Sequence, residues 1–203
     1  RLTREEGQPV TEFSFKSGHW RGRMSFRFED GRVGQAPSRT YSAYRHLSLF
    51  SERKCLSCAD HFAFHADVAA GDVWLYSLRA DPVKKTGILI RTDVGEEAVA
   101  AARASGSIIA TEVDPEIMLD GQARIAPHHH NVAARRAAGR VLGVRIPASA
   151  VPVGQRAGIL ARIDAFLTIA AFRVSDSARG RRFIALLPLS VIRALAVAKK
   201  SLM

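Results

Sequence analysis

The hydrophobic pattern of this chain mixes strand and helix periods up to about residue 122 and keeps only the helical one after it, and that change limits what the chain can fold into. Before it, apolar residues alternate over 10–16 (Val-Thr-Glu-Phe-Ser-Phe-Lys) and over 23–29 (Arg-Met-Ser-Phe-Arg-Phe-Glu), as strands with one buried face do. Asp30-Gly31 closes the second run with a turn, and residues 41–49 read as a weak helix. Asp67 to Trp74, interrupted by Gly71-Asp72, and the apolar run Thr86 to Thr92 read as further strands, the second of them buried. Gly95 to Ser105 is alanine-rich with Glu96-Glu97 in its first turn, which predicts a helix that Gly106 ends. Ser107 to Val113 reads as another strand, so residues 86–113 are expected as strand–helix–strand, and Asp114-Pro115 opens a further helix. After the change, residues 127–143, 153–172 and 180–200 carry apolar positions at helical spacing only. The expected fold class is α/β in the broad α+β sense, a mixed sheet with flanking helices over residues 1–122. A helical C-terminal segment follows over 123–203, with no internal repeat.

Composition narrows the function classes. Hydrophobic residues make up 47% of the 203, enough for a real core. The net charge of +11 raises anionic partners: nucleic acid, acidic lipid or phosphate-bearing cofactors. No aromatic stripe interleaves the cations and no nucleic-acid motif is recognised, so no nucleic-acid partner is expected. No apolar run reaches the ~20 residues of a membrane span. The nearest, Phe183 to Val197, is broken by Pro188, Ser190 and Arg193. Around its apolar stripe, Arg179 to Lys200 carries arginines and lysines, which is compatible with peripheral contact at a membrane surface. Packing on the α/β core or on a partner chain is the preferred reading. Arg1 to Glu6 has no apolar signal-peptide region, and two cysteines do not make a secreted disulfide framework, so a cytoplasmic chain is expected.

Those two cysteines, Cys55 and Cys58, stand in a C-x-x-C spacing that lets both sulfurs converge on one point. Four readings stay open on the residues alone. A zinc site would need His61 and His65 as further ligands, at a spacing too short for the usual finger. A thioredoxin-like dithiol would follow a strand, which the polar Glu52-Arg53-Lys54 approach does not resemble. Two buried thiols need no chemistry at all. An iron–sulfur cluster takes four thiolates, of which this chain offers two. Asp60 and Asp67 are expected to fix the neighbouring loop by hydrogen bonds to backbone. His128-His129-His130 point in different directions on a helix and read, with Arg135, Arg136 and Arg140, as a basic helix face.

Three blocks in order carry a resemblance: Lys54-Cys55-Leu56-Ser57-Cys58-Ala59-Asp60, Ala66-Asp67-Val68-Ala69-Ala70-Gly71-Asp72-Val73-Trp74, and Gly87-Ile88-Leu89-Ile90-Arg91-Thr92-Asp93-Val94-Gly95. Together they resemble the C-terminal part of the coenzyme F420 hydrogenase/dehydrogenase beta-subunit family, over residues 12–122. Gly18 and Trp20 are similar to that family's glycine–tryptophan loop. The resemblance implies a flavin- and iron–sulfur-dependent oxidoreductase that relays electrons among FAD, a [4Fe–4S] cluster and a partner such as coenzyme F420 or an electron-transfer protein. It implies that Cys55 and Cys58 are two cluster thiolates, that Gly71, Asp72, Arg91 and Thr92 lie near the flavin, and that the other cluster ligands lie upstream of Arg1. The chemistry is compatible. Gly71 permits close backbone approach to a ring or phosphate. Asp72 suits a flavin or ribose hydroxyl, or equally caps a turn. Arg91 suits a pyrophosphate or a surface salt bridge, and Lys84 and Lys85 a polyanionic coenzyme or a solvated loop. Trp74 is read as core packing. Some relatives lie near exopolysaccharide genes, so the alternative implied is a non-catalytic member acting in polysaccharide biosynthesis.

Overall fold

The structure is a computed structural model that describes residues 7–17, 22–81, 83, 85–122, 131–149 and 157–201. The described residues form two compact units, one drawn from Arg1–Ala59 with His130–Met203, the other from Asp60–His129.

In the first unit, β1 (Val10–Ser17), β2 (Arg23–Phe28) and β3 (Val33–Pro37) form an antiparallel meander in the order β1-β2-β3. The alternation in β2 turns Met24, Phe26 and Phe28 inward, and these three make one core cluster backed by Val10, Ala36 and Tyr41. Gly31, at φ +83°, makes the turn into β3, while its amide donates to the Phe28 carbonyl at 2.9 Å. β3 escapes the sequence pattern because Val-Gly-Gln-Ala-Pro has weak strand propensity and holds its place by pairing with β2 alone.

The helices of this unit are α1 (Arg39–His46), α2 (Arg53–Ser57), α5 (Val132–Leu142), α6 (Ile159–Asp176), α7 (Ala178–Leu186) and α8 (Leu189–Lys200). One cluster joins α1 to α7 and α8 through Ala43, Leu47, Ile184, Ile192 and Ala196. Another joins Leu56 to Ala138, Val144, Ile146, Ile169 and Phe172, seating α2 against α5 and α6. The continuous helix expected over 180–200 is two, because Pro188 lacks an amide hydrogen and its ring excludes the preceding turn. Ser177 caps α7, its hydroxyl accepting from the Gly180 amide at 3.0 Å.

The second unit pairs β4 (Val68–Asp72) with β5 (Thr86–Ile90), antiparallel from Val68 opposite Ile90 to Asp72 opposite Thr86. α3 (Asp93–Ala104) and α4 (Pro115–Gln122) follow. Gly106, at φ +72°, lies just beyond α3, and Asp114 accepts from the Glu116 amide at 2.9 Å at the start of α4. The class is thus α+β with C-terminal helices, and the strands lie in two antiparallel sheets where the sequence suggests one mixed sheet. The strand expected over 107–113 does not form: its β-branched residues find no neighbouring strand, and Ile109 is fully exposed. β5 is less buried than its apolar sequence suggests, with only Gly87 fully enclosed.

Candidate functional site

Cys55 lies within α2 and Cys58 directly follows it. Cys55 is exposed and Cys58 partly buried, and the two sulfurs are not bonded to each other. What holds this segment is the residue pair between them. Leu56 is 1% exposed and sits in the α5–α6 core, a burial contributing about 1.5–3 kcal/mol. Ser57 turns inward and its hydroxyl donates to the Lys54 carbonyl at 2.9 Å. Arg53 is tethered to Asp176, at the end of α6, at 2.9 Å, so that cation serves an ion pair as well as a position beside the sulfurs.

Arg135 is the residue that sequence reasoning misplaces. The pattern sets it on a basic face with Arg136 and Arg140; those two are exposed, but Arg135 is 0% exposed. Its Nε–H donates to the Leu56 carbonyl, between the two cysteines, at 2.7 Å. Burial lowers its pKa to about 10, against the opposing pull of Asp164 first and Cys58 second. It therefore stays a cation at neutral pH. Asp164, 1% exposed, also contacts Lys199 Nζ at 2.7 Å, and Lys199 is 4% exposed. Asp164 on α6 is thus paired with Lys199 on α8 and also acts electrostatically on Arg135 of α5. The helical spacing of residues 127–143 is visible in the sequence; that position 135 faces inward is not, because its neighbours at 136 and 140 advertise a solvated face.

In the second unit, the residues named for a flavin do more local work than the sequence suggests. The Arg91 guanidinium donates to the Phe62 carbonyl at 2.5 Å and the Ala63 carbonyl at 3.2 Å. Its backbone amide donates to the Asp67 carbonyl at 2.9 Å. The Thr92 hydroxyl donates to Asp67 Oδ1 at 2.7 Å and accepts from the Gly95 amide at 3.2 Å, capping α3. Gly95 packs so tightly that a Cβ there would stand 2.5 Å from the Asp67 carbonyl oxygen. Asp67, Arg91, Thr92 and Gly95 are one lock that fastens the 60–67 loop to the end of β5 and the start of α3. Asp60 stiffens the same loop as expected, accepting from the Phe62 and Phe64 amides at 3.1 and 2.9 Å. Asp67 instead uses its carboxylate on a hydroxyl.

Gly71 and Asp72 lie inside β4 rather than interrupting it, opposite Gly87 and Thr86. A Cβ at Gly71 would meet nothing within 4 Å, so the strand face there is open. The Asp72 carbonyl accepts from Gln122 Nε2 at 2.8 Å, and Gln122 Oε1 lies 3.1 Å from His61 Nε2. Lys85 pairs with Asp81 at 3.4 Å. Trp74 is half-buried. Gly18, Trp20, Lys84 and His128-His129-His130 fall outside the described residues.

A family model for the C terminus of the coenzyme F420 hydrogenase/dehydrogenase beta subunit matches residues 3–116. The chain belongs to this family. No curated protein and no solved structure matches the chain. The match spans all three blocks, from Cys55 to Gly95, and stops before α5, so Arg135, Asp164 and Lys199 lie beyond it. The family is one of redox subunits that work with partner proteins. As a donor set, Cys55 and Cys58 suit a soft thiolate-bound iron centre as half of its ligands. Among the described residues no group of three or more His, Cys, Asp or Glu gathers around one point. Among the described residues no helix is long and apolar enough to cross a membrane.

Proposed function

We propose that this chain is the C-terminal portion of a flavin- and iron–sulfur-dependent oxidoreductase of the coenzyme F420 hydrogenase/dehydrogenase beta-subunit type, relaying electrons between FAD, a [4Fe–4S] cluster and a coenzyme or partner protein. The observation that carries the reading is the family match over Cys55-x-x-Cys58 together with an exposed thiol within α2 and a half-buried one at its C-cap. Cys55 and Cys58 would hold one side of the cluster, with its remaining thiolates supplied from outside this chain. FAD would lie against the open strand face at Gly71 and Asp72, with Arg91 and Thr92 shaping the adjoining loop through Asp67 rather than donating to the flavin. A flavin exchanges an electron pair and a cluster single electrons; the chain's own part is to bind, orient and shield them. On this reading residues 1–122 are the cofactor-binding portion and 123–203 the helical segment. The protein works in the cytoplasm, where its thiols stay reduced, and nucleic acid is no partner.

The test is an anaerobic ultraviolet–visible spectrum of the full-length protein, with iron and flavin assayed. The reading expects a flavin band, a broad charge-transfer band near the visible blue, and loss of iron but retention of flavin in Cys55→Ser and Cys58→Ser. A protein free of both iron and flavin after anaerobic purification refutes it and leaves the non-catalytic role in polysaccharide biosynthesis.

A further inference from the structure

We infer that Arg135 is a positioning residue for the Cys55–Cys58 segment: from α5 it pins the peptide between the two cysteines and sets one buried positive charge beside them. The hydrogen bond is short, 2.7 Å from Nε to the Leu56 carbonyl, and both residues are buried, so water does not compete for it. Without it the Leu56 carbonyl would be held only by whatever the short helix α2 returns, and α2 is five residues long. The charge is fixed from behind. Asp164 favours the charged form of Arg135 and is itself paired with Lys199 at 2.7 Å. Counting those three groups, the buried cations outnumber the carboxylate by one. A cluster ligated by thiolates carries excess negative charge, and a nearby buried cation favours its reduced form. Sequence reasoning could not find this contact, since it joins residues 79 positions apart and lies outside the family match.

The inference rests on the proposed function for what the cysteines hold, so the experiment separates the two. Full-length protein is compared with Arg135→Gln, Arg135→Lys and, as a control on the exposed face of α5, Arg136→Gln. Hydrogen exchange followed by mass spectrometry is measured first on the metal-free protein. Arg135→Gln and Arg135→Lys are both expected to lose protection about tenfold or more at the amides of 55–58 while β2 keeps its own. The lysine lacks the planar fork that reaches the carbonyl. Unchanged exchange at 55–58, or an equal loss throughout the unit, overturns the positioning role. Iron and sulfide are then reconstituted anaerobically and the midpoint potential is titrated. Arg135→Gln is expected to lower it and Arg135→Lys to hold it near the wild-type value, because the charge survives. A potential unmoved by Arg135→Gln overturns the electrostatic part. Wild-type protein that assembles no cluster refutes the proposed function instead, and leaves the exchange result to decide the positioning role.

Discussion

Asp164 is shared by two buried cations, and that arrangement predicts an order of stabilities. Asp164→Asn leaves Lys199 and Arg135 buried without that carboxylate. Breaking a buried pair by removing one partner costs about 3–5 kcal/mol, and here Lys199 loses its ion pair while Arg135 loses the pull of a nearby opposite charge. For a chain of this size that is roughly a 6–20 °C fall in Tm. Lys199→Met removes one cation and fills its space with an apolar chain; Asp164 keeps Arg135, so the cost falls to about 1–3 kcal/mol. The double variant should cost less than Asp164→Asn alone, since one of the two stranded cations is gone. The assay is urea unfolding followed by far-ultraviolet circular dichroism, which reads the helical unit that holds all three residues, with the slope checked for two-state behaviour. Lys199→Met costing as much as Asp164→Asn, or strictly additive costs in the double variant, would refute the shared-carboxylate argument.

Gly95→Ala should cost about 1–3 kcal/mol, because its Cβ would stand 2.5 Å from the Asp67 carbonyl oxygen and push α3 off the loop; Gly71→Ala, with nothing within 4 Å, should be close to neutral in the same urea unfolding assay. Thr92→Ala removes the cap of α3 and the bond to Asp67, and should lower stability by about 1 kcal/mol, with faster hydrogen exchange confined to the first turn of α3. Burial, then the nearby charges of Lys200, Arg45 and Lys199, push the His46 pKa from 6.5 down to about 4. The unfolded state therefore binds the proton first as pH falls, so stability should decline between pH 6.5 and about 4. The imidazole is partly exposed, so the decline is about 1–2 kcal/mol after screening. His46→Gln should flatten the dependence, and an unchanged pH slope in that variant would remove His46 as its source.

Features that depend on near neighbours are legible in the sequence. The strands β1 and β2, the glycine after α3 and the Asp-Pro start of α4 are each written within a few residues, and each forms, although the alternation buries a face only in β2 and leaves Phe13 and Phe15 of β1 exposed. The strand at 107–113 and the single helix at 180–200 fail because the deciding fact is a missing neighbour in one case and the ring of Pro188 in the other. The C-x-x-C, Asp67 and Arg91-Thr92-x-x-Gly95 blocks are visible as a signature, but their structural work is not. Asp67 reaches Thr92 across 25 residues and Arg91 reaches Phe62 across 29, distances over which a periodic pattern carries no information. Arg135 is hidden for a related reason: two exposed arginines on the same helix make its charge look like surface, and only packing reveals that it faces a carbonyl.

That placement changes the status of the helical remainder. The family match ends at residue 116, and every residue that seats Leu56 or grips its carbonyl comes after it: Ala138, Val144, Ile146, Ile169, Phe172 and Arg135. A chain cut at residue 122 would keep the whole signature and lose its support. Leu56 would then expose its side chain to water, forfeiting about 1.5–3 kcal/mol, and a five-residue helix has no stability of its own to offset that. The cysteines would remain in the sequence without a fixed separation between their sulfurs. Two thiolates hold a metal centre more tightly when their spacing is set beforehand, since otherwise binding must also order the loop. The C-terminal helices are on this argument the scaffold of the Cys55–Cys58 segment, and a fragment bearing the signature alone should bind iron more weakly than the full chain.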